Sequence, residues 1–139
     1  MVIDKNTILV LIEILQSSSG IFLGVGFAVF TLVYAFAQNK KDYLKEVEEL
    51  IRIEGISATI LRKRNSSNKF ISKMYKISSD AILLVIISSI GLVMSYILDI
   101  LIVNEDTFVY ILVGILIILI AMVLYIVKIS IKLFFGYRK

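Results

Sequence analysis

The chain has 139 residues, a net charge of +4 and a hydrophobic content of 59%, above the roughly 45–50% of a soluble domain. It contains no cysteine and no histidine. These absences exclude disulfides, zinc, haem and iron–sulfur sites built on those residues, and catalysis by a nucleophile with a histidine base. Carboxylate sites for hard cations stay open. The composition predicts a membrane protein that is not an enzyme and carries no cofactor.

Three apolar stretches predict an all-α membrane protein with three transmembrane helices in a single domain. The first stretch is too long for one upright span. We divide it into a span over 18–37 and, before it, residues 5–16, predicted as a short outer interfacial helix or as an outward extension of the same helix. The second and third spans are predicted over 81–103 and 108–127. At 1.5 Å per residue these two reach about 30–35 Å, which matches the hydrocarbon core of a bilayer.

Basic residues lie almost entirely on one side of the predicted spans. Of the 15 lysines and arginines, all except Lys5 fall in the segment 38–80 or in the tail 128–139. The positive-inside bias therefore predicts an outer N-terminus and a cytoplasmic C-terminus in the cell membrane, either inner or plasma membrane.

The segment 38–80 is predicted to form a cytoplasmic amphipathic hairpin. Apolar residues recur at the helical period on both sides of a predicted turn at Asn65-Ser66-Ser67-Asn68. Its basic charge favours contact with the anionic lipid of an inner leaflet, and the alternative is a platform for a cytoplasmic partner or ligand. The residues predicted to contact lipid or partner are Arg62, Lys63 and Arg64.

Small and polar residues form a stripe along each of the first two spans, at spacings that place them on one helix face. The first stripe contains Ser17, Gly20, Gly24, Ala28 and Thr31. The second contains Ser88, Gly91 and Ser95. Such stripes let helices approach closely in lipid, so they predict a packing face or, in a homo-oligomer, the lining of a pore. The third span is mostly Ile, Leu and Val and is predicted to face lipid.

Acidic residues cluster near the predicted outer boundary. They are Glu13, Asp99, Glu105 and Asp106. Each is either solvated at the interface or, in an oligomer, part of an outer acidic ring of the kind that favours cations. At the other boundary, Lys128 and Lys132 are predicted to extend their ammonium groups to the inner interface.

The first span resembles a helix of the RexB-like phage-exclusion membrane proteins. The matching positions are Ser17, Ser18, Gly20, Ala28 and Thr31, followed by Lys40 and Lys41. The resemblance is confined to this span, and that family has four spans where three are predicted here. It implies ion-channel activity in defence against phage. The topology alone, three spans with a cytoplasmic hairpin after the first, resembles that of Oxa1-type insertases.

Our leading hypothesis is a small oligomeric membrane effector that forms or gates an ion-permeable pore in bacterial anti-phage defence. The alternative is a non-channel anchor or scaffold that recruits a cytoplasmic partner through the basic hairpin. An insertase or a holin is the third possibility. The expected partners are the lipid bilayer, further copies of the chain and a cytoplasmic protein, with no nucleic acid among them.

Overall fold

The computed structural model describes residues 5–55, 57–100 and 108–135, and this part of the chain is helical apart from Gly55 and Ser57. The helices are α1 (Lys5–Glu54), α2 (Ala58–Ile100) and α3 (Phe108–Phe135). Each of the three is long and apolar enough to cross a membrane. The predicted all-α fold with three membrane-spanning helices is confirmed.

Residues 5–16 are the first turns of α1 rather than a separate interfacial helix. Of the two alternatives for this segment, the structure has the extension of the same helix, because α1 continues without a break through Ser17-Ser18-Ser19-Gly20. Leu15 is fully buried and lines one cavity together with Met94 and Leu98 of α2. The packing of this segment beside the second span outweighs the weak helix propensity of serine and glycine.

The turn between α1 and α2 lies at Gly55–Ser57, and the predicted turn at 65–68 is wrong. Gly55 has a φ of 82°, which favours glycine, and its N–H donates to the carbonyl of Ile51 over 3.1 Å. The hydroxyl of Ser57 accepts from the N–H of Ile60 over 3.3 Å and caps the start of α2. The polar run at 65–68 is helical, and its Ser67 is buried.

α1 and α2 pack side by side along a heptad seam, which is the most extensive helix–helix contact in the described part of the chain. Seam positions of α2, buried or partly buried, alternate in steps of three and four: Ser67, Phe70, Met74, Ile77, Ala81, Leu84, Ser88, Gly91 and Ser95. The seam of α1 includes Ile8, Ile12, Leu15, Ser19, Phe22 and Gly26. A repeat of 3.5 residues is the signature of left-handed coiled-coil packing.

α3 closes the bundle with buried residues at every seventh position: Ile115, Met122 and Ile129. Met122 reaches the α2 seam, where the hydroxyl of Ser88 donates to its sulfur over 3.5 Å. The outward side of α3 presents large aliphatic residues, among them Ile117, Ile120 and Leu124. This exposed surface matches the predicted lipid-facing role of the third span.

Candidate functional site

The small-residue stripe of α1 lies on the outside of the bundle. Ser17, Gly20, Gly24, Ala28 and Thr31 are all exposed, on the side of α1 opposite to its seam. A Cβ atom added at Gly20 or Gly24 would meet nothing within 4 Å. We call this surface, which runs from Glu13 to Asn39, the outer face of α1. At 1.5 Å per residue it is roughly 39 Å long.

The small-residue stripe of α2 lies inside the bundle. Ser88, Gly91 and Ser95 are buried on the seam, and a Cβ atom at Gly91 would come within 2.6 Å of the Ser19 hydroxyl oxygen. The hydroxyl of Ser95 donates to the carbonyl of Leu92 over 2.7 Å. Two stripes that the sequence suggested as one functional face are therefore separate. The stripe of α2 packs inside the protomer, and the stripe of α1 has no partner among the described residues.

Two grooves mark the outer face of α1. One, of about 570 Å3, is lined by Phe27, Ala28, Thr31, Leu32, Ala35, Phe36 and Asn39. The other, of about 330 Å3, is lined by Val10, Glu13, Ile14, Ser17, Ser18 and Ile21. Each groove is lined by small residues together with large apolar ones. This relief is suited to side chains of another helix, which would pack as knobs into holes.

The outer face of α1 carries few polar groups, among them the hydroxyl of Thr31 and the carboxylate of Glu13. The hydroxyl of Thr31 donates to the carbonyl of Phe27 over 2.9 Å, so its hydrogen is satisfied within the helix and its oxygen still points outward as an acceptor. Glu13 is exposed at the end of the face farther from the Gly55–Ser57 turn. Asp99 belongs to α2, but its side chain lies outside the described residues, as do Glu105 and Asp106. The acidic ring stays a prediction.

A partly buried ion cluster joins α2 to α3 at the start of the apolar part of α2. The carboxylate of Asp80, whose side chain is 8% exposed, has one oxygen 2.8 Å from the Lys128 ammonium and accepts from Lys132 with the other. The Lys128 ammonium also lies 5.1 Å from the ring centre of Tyr125. We call Asp80, Lys128 and Lys132 the Asp80 cluster. It carries two positive charges and one negative charge.

The Asp80 cluster gives the two lysines a partner and adds a residue that sequence reasoning missed. Lys128 and Lys132 both bind the buried carboxylate of Asp80 on the neighbouring helix, and their predicted extension to the inner interface stays a prediction. The signal was present: an acid just before the second span, and two lysines four residues apart just after the third. Adjacent spans joined by a short connection are antiparallel, so those two ends lie side by side.

The basic residues predicted to contact lipid or a partner are far from the apolar part of the bundle. Arg62, Lys63 and Arg64 are exposed on α2 near the Gly55–Ser57 turn. At 1.5 Å per residue they lie roughly 24–27 Å along α2 from Asp80. The part of α2 before Asp80 and the end of α1 that packs against it thus form a helical hairpin. The three basic residues lie close to the tip of this hairpin.

In the described part of the chain, no three acidic side chains lie close enough together to hold a metal ion. No protein-family model, no curated protein and no solved structure matches the sequence. The outer face of α1 and the Asp80 cluster are therefore the features on which a functional assignment rests.

Proposed function

We propose that the protein is a small oligomeric membrane effector whose copies associate through the outer face of α1 and gate an ion-permeable pore, in bacterial defence against phage. The observation that carries this proposal is the exposure of Gly20, Gly24 and Ala28 on a helix long and apolar enough to cross a membrane. These residues have the composition of a helix–helix interface, and none of the three described helices covers them.

Association through this face follows from packing in lipid. Lipid tails are as apolar as leucine, so helices associate in membranes mainly through close packing and interhelical hydrogen bonds. Glycine and alanine let two helix backbones approach closely, and both grooves of the face can receive side chains of a second copy. The outer side of α3, with its large aliphatic residues, offers no comparable surface.

A conducting path in such an assembly would lie between copies rather than through one. The centre of the protomer is filled by fully buried side chains, including Leu15, Ile77 and Met122. Between copies, the outer faces would supply the hydroxyls of Ser17 and Thr31, with Glu13 near one end. Such a path exists only while the copies stay associated through these faces. Rings of carboxylates at a pore mouth favour cations.

The defence role and the orientation rest on the sequence. Ser17, Ser18, Gly20, Ala28 and Thr31 carry the resemblance to RexB-like phage-exclusion proteins, and four of these five positions are exposed on α1. The positive-inside bias supports a cytoplasmic hairpin. In this arrangement the hairpin tip is available to receive an intracellular signal of infection, while the outer faces lie within the bilayer.

Ion flux into liposomes tests the pore directly. Purified protein is reconstituted at increasing protein-to-lipid ratio, and flux is followed with a potential-sensitive dye. The wild type should conduct with a steep dependence on that ratio, and Gly24→Leu should abolish flux. The matched control is Gly114→Leu on α3, where an added side chain also meets open space. A wild type that does not conduct, or equal flux in both variants, would contradict the proposal.

A second candidate function is supported by the shape of the hairpin. Arg62, Lys63 and Arg64 project far from the apolar part of the bundle, as expected for an anchor that recruits a soluble partner. The anchor and the pore can be distinguished by mutation in cells that show a phage-exclusion phenotype. Charge reversal at these three residues should abolish the phenotype of an anchor, whereas Thr31→Leu should abolish that of a pore.

A further inference from the structure

We propose that Lys69, Lys73 and Lys76 of α2, together with the Asp80 cluster, form a binding site for the headgroup of an anionic phospholipid. The proposal concerns a different surface from the outer face of α1. It needs only that the three helices cross a membrane, and it holds whether or not the protein conducts ions.

The three lysines form a groove that leads to the Asp80 cluster. Lys69, Lys73, Lys76 and Asp80 follow one another in steps of four, three and four residues, which places them on one face of α2. The first three line a groove of about 430 Å3 together with the side chains of Asn68 and Ser72. Among the residues described as lining this groove there is no carboxylate, so its fixed charges are all positive.

The Asp80 cluster extends this positive surface to the edge of the apolar region. One carboxylate faces two ammonium groups, which leaves an excess of one positive charge. The Lys128 side chain is 49% exposed, and an ammonium group has three N–H donors. Lys128 therefore keeps donors for an oxygen atom that approaches from outside the bundle. Phosphate oxygens form strong charge-assisted hydrogen bonds with such groups.

The distance of these lysines from the apolar run of α2 favours a lipid headgroup as the ligand. The apolar run of α2 begins at Ala81, and the headgroup layer adds roughly 5–8 Å on each side of the hydrocarbon core. Measured from Asp80 at 1.5 Å per residue, Lys76 is about 6 Å and Lys73 about 10 Å along the helix. Lys76 therefore lies within the headgroup layer, and Lys73 lies close to its outer edge.

Distance along α2 also argues against lipid contact at Arg62, Lys63 and Arg64, where the sequence analysis predicted it. Arg62, Lys63 and Arg64 lie roughly 24–27 Å from Asp80 and so about 16–22 Å beyond the headgroup layer, about twice the Debye length at physiological salt. Their attraction to the membrane surface is therefore largely screened. The excess positive charge nearer the boundary, from the groove lysines and the Asp80 cluster, suits a headgroup with two or more negative charges rather than a zwitterionic one.

Lipid retention measured on matched charge variants tests this site. Full-length protein is incorporated into nanodiscs of zwitterionic phospholipid with a minor fraction of a doubly charged phospholipid, and bound lipid is counted by native mass spectrometry. The variant Lys69→Gln/Lys73→Gln/Lys76→Gln is compared with Arg62→Gln/Lys63→Gln/Arg64→Gln, which removes the same charge from the same helix. The groove variant should lose affinity for the anionic lipid by roughly fivefold per lysine, and the control should retain it.

Several outcomes would overturn the proposal. The first is a wild type that shows no preference for anionic over zwitterionic lipid. The second is an equal loss of anionic lipid in both triple variants. A third is displacement of the lipid by inorganic phosphate at matched ionic strength, which would assign the groove to a soluble anion. If the triple groove variant does not fold, as judged by helical circular dichroism, Lys76→Gln alone against Arg64→Gln gives the same comparison with a smaller expected change.

Discussion

The two sides of α1 differ in environment although they share a composition. Gly24 and Gly26 are two residues apart, yet a Cβ atom at Gly26 would lie 2.8 Å from a methyl group of Val85 and one at Gly24 would meet nothing within 4 Å. Ser19 is likewise buried, and its neighbour Gly20 is exposed. Small residues on the seam have a known partner in α2, so by the same physics the outer face is expected to have one outside the protomer.

Comparison with α3 shows why the outer face of α1 is unusual for a lipid-facing surface. The outward side of α3 carries branched aliphatic residues that fill space against lipid, such as Ile117 and Leu124. The outer face of α1 carries glycines at the corresponding depth and leaves its backbone uncovered. If lipid were the only neighbour of α1, nothing in the protomer would require these glycines. The predictions below test the inner packing and then this outer face.

The largest effect is expected at the Asp80 cluster. Lys128→Met/Lys132→Met leaves the carboxylate of Asp80 without a partner and should reduce the free energy of unfolding by about 3 kcal/mol, because Asp80 is buried although both lysines are partly exposed. Chemical unfolding in detergent, followed by circular dichroism, measures it. Neutralising the exposed pair with Asp42→Asn/Lys45→Met should cost less than about 1 kcal/mol. Equal losses in the two variants would show that the cluster is not a buried ion pair.

The next largest effect distinguishes the packed seam, tested at Gly91 of α2, from the outer face of α1, tested at Gly24. Gly91→Leu places a side chain against Ser19 and Ile118 at the closest approach of the seam, which should cost about 1–3 kcal/mol or more. Gly24→Leu meets open space and should leave the free energy of unfolding of the isolated protomer unchanged or slightly higher, because leucine favours helix over glycine by roughly 1 kcal/mol. Unfolding of dilute protein in detergent gives both values. A protomer destabilised by Gly24→Leu would mean that this face is packed internally.

The smallest effect concerns the buried hydroxyl of Ser19. Within the described residues its oxygen has no hydrogen-bond partner, and the residue is fully buried on the seam. Ser19→Ala removes an unsatisfied polar group without changing the packing, so it should stabilise the protein by about 1 kcal/mol. Ser88→Ala, which removes a weak contact with Met122, serves as the comparison and should be close to neutral. A loss of stability in Ser19→Ala would indicate a bound water or another partner.

Much of the fold follows from the sequence because lipid imposes simple constraints. Runs of about 20 apolar residues set the number of spans, and the heptad steps through Met74, Ile77, Ala81 and Leu84 are visible in the sequence as well. The position of the turn did not follow. A polar run at 65–68 resembles a turn more than Gly55 does, but Ser67 is small enough to occupy a seam position, and Gly55 supplies the positive φ.

The candidate site was only partly predictable. Spacing placed Gly20, Gly24 and Ala28 on one face, which the structure supports, but it could not tell whether that face packs against α2 or points away. α1 carries small residues on both sides, and only the pairing of Ser19 with Gly91 decides which side is inside. Asp80 was missed because it lies just before the apolar run, where an acid is unremarkable until Lys128 and Lys132 are brought beside it.

Oligomeric state in nanodiscs tests the central claim, that the outer face of α1 is an interface between copies, most directly. Subunits per disc are counted by mass photometry and by stepwise photobleaching for the wild type, Gly24→Leu and Gly114→Leu. The wild type and Gly114→Leu should form an oligomer of the same size, and Gly24→Leu should be monomeric. A monomeric wild type, or an oligomer that persists unchanged in Gly24→Leu, would contradict the claim.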